Sequence, residues 1–400
     1  MPLQTDVLVI GGGLVGLSLA AALAPGRLSV VLADAQALPP FDANRTTTVT
    51  GASLQSGFDA RVSSINPASR QFLQRIGGWP EQRIAPFTHM VVMDARGTGR
   101  LSFDATEAGS DRLGDIVENG NILQALDAAA RAGGVEMRRG LAVSEVVRQP
   151  DGYRVTFEDG STIECQLLVG ADGGNSVVRA ASGLRTLDWQ YGQDAVVSTI
   201  LTTRPHAHTA RQWFTETGPL AFLPLPDNDS RLSSIVWSSS EAKALLAQDD
   251  AAFCASLTRA SEGELGAVLA VDRRFSFPLR QQHAITYVAE HLALIGDAAH
   301  TIHPLAGQGA NLGLADANTL ARVLADIRFT DEAPGDLAVL SRYQRERRPQ
   351  NLLMTGLMEF LKRIYALDDP AVGWLRNMGS RTFNRNVMLK RMLIRGASGG

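Results

Sequence analysis

The first forty residues alternate between apolar runs and a cluster of glycines. Residues 7–10 are apolar, residues 14–24 combine helix formers with small residues, and a second apolar run over 28–33 ends at Asp34. Short continuous apolar runs are typical of parallel strands that are buried on both faces. The pattern therefore predicts a strand, a turn, a helix and a second strand, which together form a βαβ crossover.

The turn of this unit reads Gly11-x-Gly13-x-x-Gly16, and Asp34 follows 18 residues after the third glycine. Glycines at this spacing let the backbone approach a pyrophosphate, and the helix start supplies free N–H groups. An acid at the end of the second strand can accept a hydrogen bond from a ribose hydroxyl. We interpret the turn as a dinucleotide site, since glycines kept only for packing are the weaker explanation.

Two later segments also predict a buried strand that ends at a polar turn. Residues 167–170 lead into Asp172-Gly173-x-x-Ser176-x-x-Arg179, and residues 291–295 lead into Gly296-Asp297. A glycine-rich turn and an amphipathic helix follow the second of these strands. The start of that helix would direct N–H groups and a positive dipole end at whatever lies beyond Pro304.

The middle of the chain has a different pattern. Residues 187–278 contain several short strand-like runs without the glycine turn and helix, apart from a helical insert near 251–259. We predict a second domain built on a largely antiparallel sheet, which provides the substrate side.

His300 and His303 lie three residues apart and close to Asp297, which makes them a candidate metal pair. No third group of ligands accompanies them in the sequence, and Pro304 disfavours a regular helix there. We therefore expect no metal, and we expect His300 to be a hydrogen-bonded structural residue.

Composition and charge narrow the class of protein. The net charge of −3 argues against a nucleic-acid partner, and two cysteines, Cys165 and Cys254, form neither a pairing pattern nor a metal motif. A reducing cytoplasm is the simplest location for such a chain. Residues 7–24 carry no charge, but their glycines are spaced for a chain reversal, so we predict neither a signal peptide nor a membrane span.

The C-terminal segment is strongly basic. Residues 340–400 contain twelve Lys or Arg against four Asp or Glu, a net charge of +8 that leaves −11 on the remainder. Three interpretations remain open: a helical segment packed on the first domain with solvated basic residues, a weak peripheral contact with an anionic membrane at its inner face, or a contact with a lipid-carrying partner protein.

The three motifs, in this order and at these separations, resemble the signatures of class A FAD-dependent aromatic hydroxylases. Within that group, the segment from His303 to Asp316 (HPLAGQGANLGLAD) resembles the ubiquinone-biosynthesis hydroxylases. The likeness covers essentially the whole chain. It implies an α/β fold with a discontinuous Rossmann-like FAD-binding domain (1–75, 112–186 and 281–340), a substrate domain with a largely antiparallel sheet (76–111 and 187–280) and a C-terminal basic helical segment (341–400).

The resemblance also implies roles for individual residues. It places FAD contacts at the first glycine turn, at three acids, at two arginines, at Gly296 and around the start of the helix that follows Gly296-Asp297, namely Gly11, Gly13, Gly16, Asp34, Arg61, Asp172, Arg179, Gly296, Asp297, Gly307, Gly309, Ala310, Asn311 and Leu312. It implies that the backbone carbonyl of Pro304 lies near the reactive flavin carbon, with His303 as a polar neighbour. It implies no metal.

The implied activity is hydroxylation of a polyprenylated phenol or benzoquinol by O₂ in ubiquinone biosynthesis, through a flavin C4a-hydroperoxide. The reductant would be NAD(P)H or a separate electron donor, since the chain has a single GxGxxG motif. A quinone-biosynthesis protein complex is a further candidate partner. Three alternatives stay open: a hydroxylase of a small aromatic acid that uses Arg204, Arg211 or Arg231, a flavin reductase of isoprenoid double bonds, and a non-catalytic FAD-retaining subunit.

Overall fold

A computed structural model describes residues 3–95, 97, 99–302 and 308–366. The helices of the described chain are α1 (Leu14–Leu23), α2 (Pro67–Arg75), α3 (Asn119–Ala132), α4 (Val177–Ser182), α5 (Ala242–Ala247), α6 (Asp250–Ala260), α7 (Gln308–Asp326) and α8 (Leu337–Ala366), with 3-10 turns at Ala105–Ala108, Gly296–Ala298 and Ile327–Phe329.

The strands fall into three sheets. They are β1 (Leu3–Ile10), β2 (Val30–Asp34), β3 (Thr48–Thr50), β4 (Ser53–Gln55), β5 (Val62–Ile65), β6 (Ile84–Phe87), β7 (His89–Asp94), β8 (Arg100–Asp104), β9 (Gly114–Glu118), β10 (Glu136–Arg139), β11 (Val143–Gln149), β12 (Gly152–Phe157), β13 (Thr162–Gly170), β14 (Thr186–Thr202), β15 (Thr209–Thr215), β16 (Gly218–Pro224), β17 (Leu232–Ser239), β18 (Val268–Val271), β19 (Phe275–Ala284), β20 (Val288–Ala289), β21 (Leu292–Leu294) and β22 (His300–Thr301).

The first sheet has the order β10-β2-β1-β13-β12-β11, and β21 and β20 continue it beside β13. Strands β10, β2, β1, β13 and β21 run parallel. Residues Val7, Leu8 and Val9 are fully buried because helices cover both faces of a parallel sheet. The predicted βαβ crossover is therefore confirmed, and α1 packs against α3 and α7.

Among the described residues the second sheet has eleven strands, with the order β3-β4-β18-β14-β17-β16-β15-β7-β8; β19 pairs with β14, and β22 pairs with β19. It is antiparallel except where β15 pairs with β7 and where β18 pairs with β4. The predicted antiparallel sheet is thus confirmed. Strands β3 and β4 belong to it although the sequence placed residues 48–55 in the first domain, and the exact domain boundaries stay predictions. A small third sheet, β5-β9-β6, packs against both, with Ile65 and Val117 in the core of the first sheet and Ala85 and Phe87 in a core cluster with the second.

Helix α8 extends from the first sheet to the second. Its first turns bury Val339, Leu340 and Tyr343, and near its end the ring of Tyr365 stacks on Phe214 of β15 at 3.9 Å. The C-terminal helix is therefore confirmed, and it covers the space between the two sheets. The rest of the basic segment, residues 367–400, lies outside the described residues. Within the part of the chain that is described, no helix is long and apolar enough to cross a membrane.

Candidate active site

A cleft of about 2520 Å³ lies between the carboxyl ends of the first sheet and one face of the second. Sites for single small ligands are typically about 300–1,000 Å³. The cleft therefore has room for a ligand of dinucleotide size and a second, sizeable molecule beside it.

The glycine turn forms one wall of the cleft, and its three glycines meet different demands. Gly11 has φ +112°, and a side chain there would overlap the carbonyl oxygen of Ala171, while one at Gly16 would overlap the carbonyl oxygen of Gly11. A Cβ at Gly13, however, would meet no atom within 4 Å. Gly11 and Gly16 thus permit the tight turn, and Gly13 keeps the cleft open at the start of α1, as a bound pyrophosphate requires.

Asp34 lies at the carboxyl end of β2 and lines the cleft. Its carboxylate accepts hydrogen bonds from the backbone N–H of Gly12 and from that of Gln36, the latter at 2.6 Å. Beside it, Arg139 at the end of β10 is paired with Asp127 at 2.7 Å. This places Asp34 next to the glycine turn, where the ribose contact is expected.

The motif from Asp172 to Arg179 connects the first sheet to the Gly296-Asp297 motif. Asp172 accepts from the backbone N–H of Val177 at 2.7 Å, while its other carboxylate oxygen is buried and has no hydrogen-bond partner in the described part of the chain. Arg179 donates to the carbonyl oxygens of Ala298 at 2.8 Å and of Gly174 at 2.6 Å. The buried guanidinium therefore ties two motifs together, and a direct contact of Arg179 with FAD stays a prediction.

The third motif presents a carboxylate to the cleft. Gly296 has φ +60°, and a Cβ there would press on Val15 of α1 at 3.0 Å. The next residue, Asp297, is exposed to the cleft but otherwise surrounded by protein, and this burial raises the pKa of its carboxyl against the opposing charges of His300 and Arg61. Arg61, the predicted FAD ligand, also lines the cleft and lies over the ring of Phe277 at 5.5 Å.

A buried carboxylate, Asp316 of α7, holds this region together. It accepts from the backbone N–H of Gly296 at 3.1 Å, from His300 Nε2 at 2.5 Å and from Arg347 Nε at 2.8 Å. Burial alone would raise the pKa of Asp316, but the charges and hydrogen bonds of His300 and Arg347 outweigh it and lower that pKa. The prediction that His300 is a hydrogen-bonded structural residue is confirmed, and no metal-ligating cluster occurs among the described residues.

The start of α7 is fixed against the third sheet by one side chain. Asn311 donates to the carbonyl oxygen of Ser64 at 2.7 Å and accepts from the backbone N–H of Asn66 at 3.0 Å. Gly309, Ala310, Asn311 and Leu312 all line the cleft. Since the first N–H groups of a helix have no partner within it, this turn offers donors to a ligand. His303, Pro304 and Gly307 lie outside the described residues, so their roles stay predictions.

The opposite wall of the cleft is apolar. Strands β7, β8, β15, β16 and β17 contribute Met90, Val92, Leu101, Phe103, Ala210, Phe214, Ala221, Leu223 and Val236, and α8 contributes Leu353, Met354, Leu357, Met358, Phe360 and Ile364. The sequence did not indicate this wall, because which face of a strand meets α8 depends on contacts between distant segments.

Arg204, Arg211 and Arg231, which the sequence offered as ligands of a small aromatic acid, do not direct their side chains into the cleft. Arg211 lies at the border of the cleft, but its side chain alternates to the other face of β15 from Gln212 and donates to the carbonyl oxygen of His206 at 2.8 Å. Arg231 pairs with Asp229 at 3.3 Å, and Arg204 does not line the cleft.

The sequence did not predict a buried ion pair between Glu118 and Arg83. Glu118 accepts from Arg83 Nε at 2.6 Å and from the backbone N–H of Asp59 at 2.7 Å, and it is 1 % exposed. It fixes the loop that carries Arg61. Gln124, one helical turn into α3, donates to the carbonyl oxygen of Pro39 at 2.9 Å.

A parallel sheet with this glycine turn, an acid at the end of β2 and a cleft carboxylate ahead of α7 is the arrangement of a dinucleotide-binding oxidoreductase. The chain matches the family model described as FAD binding domain over residues 4–355. It is 37 % identical to the ubiquinone hydroxylase UbiL of Rhodospirillum rubrum, over 98 % of this chain and 89 % of that protein. It is 34 % identical to the 3-demethoxyubiquinol 3-hydroxylase of Escherichia coli, over 99 % of this chain and 98 % of that one.

Among solved structures, the p-nitrophenol 4-monooxygenase PnpA of Pseudomonas putida superposes with a TM-score of 0.77 at 18 % identity, over 100 % of this chain and 99 % of that one. This likeness establishes the fold. The chain belongs to the ubiquinone-biosynthesis hydroxylases of the FAD-dependent monooxygenase family.

Proposed function

We propose that this protein hydroxylates the aromatic ring of a polyprenylated phenol or benzoquinol, with FAD as its cofactor and O₂ as co-substrate. The observation that carries the proposal is the continuity of the cleft, in which the three FAD motifs open directly onto a large apolar wall. The relatives named as ubiquinone hydroxylases support the ring as the site of reaction.

The residues of the cleft fit FAD. The turn at Gly13 would hold the pyrophosphate, Asp34 the adenosine ribose, Asp297 the ribityl or pyrophosphate part, and the start of α7 the pyrimidine end of the flavin. When bound and reduced by the external donor, FAD would pass on the two electrons and activate O₂, which no side chain of the chain can do. The N–H groups of α7 would stabilise negative charge that develops near them.

The apolar wall has two tasks in this reaction. It excludes water from the reacting ring, and it holds the ring close to the cofactor, which accelerates transfer by orientation. Along α8, the apolar side chains from Leu353 to Ile364 extend over about 17 Å at 1.5 Å per residue. A polyprenyl chain would bury apolar surface along this length, whereas a small aromatic acid would leave it uncovered.

The reductant in this proposal is NAD(P)H, bound transiently, or a separate electron donor. Mixing the FAD-loaded protein with NADH or NADPH in the absence of oxygen separates the two. Loss of the visible flavin absorbance within the turnover time supports direct reduction, and unchanged absorbance supports a separate donor.

A peripheral membrane contact belongs to the same proposal, because a polyprenylated substrate resides in the bilayer. Basic residues near an anionic surface contribute roughly 1 kcal/mol each. We expect salt-sensitive binding to anionic liposomes that weakens when Arg385, Lys390, Arg391 and Arg395 are changed to Gln, with FAD content unchanged. Equal sedimentation of both proteins with anionic and neutral liposomes would contradict the membrane contact and leave a partner protein or packing as the role of the basic segment.

Quinone extraction from a deletion strain tests the function itself. We expect ubiquinone to fall and a precursor that lacks one ring hydroxyl to accumulate, and the wild-type gene to restore the product. An unchanged quinone profile would contradict the proposal. A gene for Asp297→Ala that restores ubiquinone without retaining FAD would favour the non-catalytic subunit instead.

A further inference from the structure

The side chain of Gln212 places an amide within the mainly apolar wall of the second sheet. Gln212 lies on β15 between Ala210 and Phe214, and its neighbours across the sheet are Val92 on β7 and Ala221 on β16. All of these residues line the cleft. Because side chains alternate along a strand, Gln212 faces the cleft together with Ala210 and Phe214. The next residue, Trp213, packs on the other face in a separate core cluster.

The amide of Gln212 has no hydrogen-bond partner among the described residues, although the residue is only 5 % exposed. Polar side-chain groups with so little exposure are usually hydrogen-bonded to protein or to ordered water. The amide is not fully enclosed, and the space that Gln212 lines is the cleft. A ligand in the cleft can supply the missing partner.

We propose that the Gln212 amide hydrogen-bonds an oxygen substituent of the substrate ring and so fixes which ring carbon faces the cofactor. This inference rests on the proposed function. An aromatic ring with oxygen substituents matches the wall around Gln212, since the ring faces contact Val92, Ala221 and Phe214 while one edge oxygen meets the amide. Gln212 acts as a positioning residue, because the amide takes no part in electron or proton transfer.

The variant Gln212→Met tests the inference, because methionine keeps the length of the side chain and removes both hydrogen-bonding atoms. The matched control is Ser233→Ala on β17, because Ser233 Oγ is also buried with no partner among the residues that the structure describes, and the adjacent residue, Ser234, lines the cleft instead. Both proteins are loaded with FAD, reduced with light in the absence of oxygen and mixed with O₂ and a geranyl-substituted methoxybenzoquinol. This protocol makes the result independent of the natural electron donor.

We expect Gln212→Met to keep wild-type FAD content and melting temperature but to bind the quinol about 5-fold more weakly, as the loss of one neutral hydrogen bond requires. Hydroxylated product per reduced flavin should fall, with hydrogen peroxide formed in its place. Against an analogue that lacks the contacted ring oxygen, Gln212→Met and wild type should perform alike, as in a double-mutant cycle. Ser233→Ala should match wild type with both compounds.

A Gln212→Met protein with wild-type affinity and coupling for every quinol of the series would overturn the inference. So would an equal loss with the analogues, since this would indicate a general packing effect. If the wild-type protein retains FAD but forms no hydroxylated quinol under these conditions, the proposed function itself is wrong. This outcome is distinct from one in which only the role of Gln212 is wrong.

Discussion

Replacing Asp316 with Asn should destabilise the protein and loosen the start of α7. The carboxylate is fully buried and accepts four hydrogen bonds, from Gly296, His300, Arg347 and the amide of Asn351 at 3.1 Å. An asparagine has one acceptor oxygen and one donor group at this position. At least one of the four donors would therefore face another donor, and the buried guanidinium of Arg347 would lose its counter-charge.

Removing one partner of a buried ion pair costs about 3–5 kcal/mol. An unfolding entropy of about 2 cal/mol/K per residue amounts to roughly 0.8 kcal/mol/K for 400 residues, so a loss of ~4 kcal/mol lowers the melting temperature by ~5 °C. The exposed pair of Arg148 and Glu290, at 2.5 Å, provides the control. Glu290→Gln should cost less than ~1 kcal/mol and shift the melting temperature by ~1 °C or less.

Melting of the FAD-loaded proteins by near-UV circular dichroism, together with FAD titration of the apoproteins, measures both effects. We expect Asp316→Asn to melt lower and to bind FAD more weakly, because Asp316 joins the Gly296 turn to α7. If Asp316→Asn and Glu290→Gln melt within 1 °C of each other with equal FAD affinity, the assigned role of the buried carboxylate is wrong.

Three further predictions concern other parts of the molecule. Gly13→Val should fold normally but fail to retain FAD, because its side chain enters open cleft space at the start of α1. The control Gly356→Ala, also in open space, should retain FAD in a fluorescence assay of released cofactor. Retention of FAD by Gly13→Val would show that the turn has only a structural role. Burial and the charge of His300 lower the pKa of His283 to about 4. Between about pH 6.5 and pH 4 the unfolded chain therefore binds a proton at His283 that the folded chain does not bind, and the free energy of unfolding falls as the pH drops through this range. From pH 7 to pH 5 the titration of His283 should lower the free energy of unfolding by ~2 kcal/mol, and His283→Gln should lack this part of the decrease when both proteins are unfolded in urea. An identical pH dependence of the two proteins would contradict this prediction. Burial raises the pKa of Cys165 to about 12 and that of Cys254 to about 11, so neither thiol should react with a disulfide reagent at pH 8 until the protein unfolds, and rapid labelling of the native protein would show that these sites open.

The elements that the sequence predicted well are those specified by local pattern. The run over residues 7–10 became the end of β1, and the Gly11 to Gly16 turn was readable because only glycine tolerates the close approach of Ala171. Buried parallel strands and glycine turns depend on a few neighbouring residues, so one sequence is enough to indicate them.

The features that escaped prediction depend on contacts between distant segments. Asp316 could be recognised as part of a motif, but its pairing with Arg347 requires α8 to pack on α7. The parallel pairing of β15 with β7 was not expected within an antiparallel sheet, because pairing is set by the whole fold and not by strand pattern. Without that pairing, Gln212 could not be assigned to the cleft.

Labelled oxygen tests the central claim most directly. The FAD-loaded protein is reduced with light in the absence of air, mixed with ¹⁸O₂ and a geranyl-substituted methoxybenzoquinol, and the extracted product is analysed by mass spectrometry. We predict one ¹⁸O atom in a new ring hydroxyl, because the oxygen comes from O₂ and the apolar wall keeps the ring beside the cofactor. A product whose new oxygen comes from water, or one with a reduced isoprenoid double bond and no new oxygen, would contradict the assignment as a ring hydroxylase.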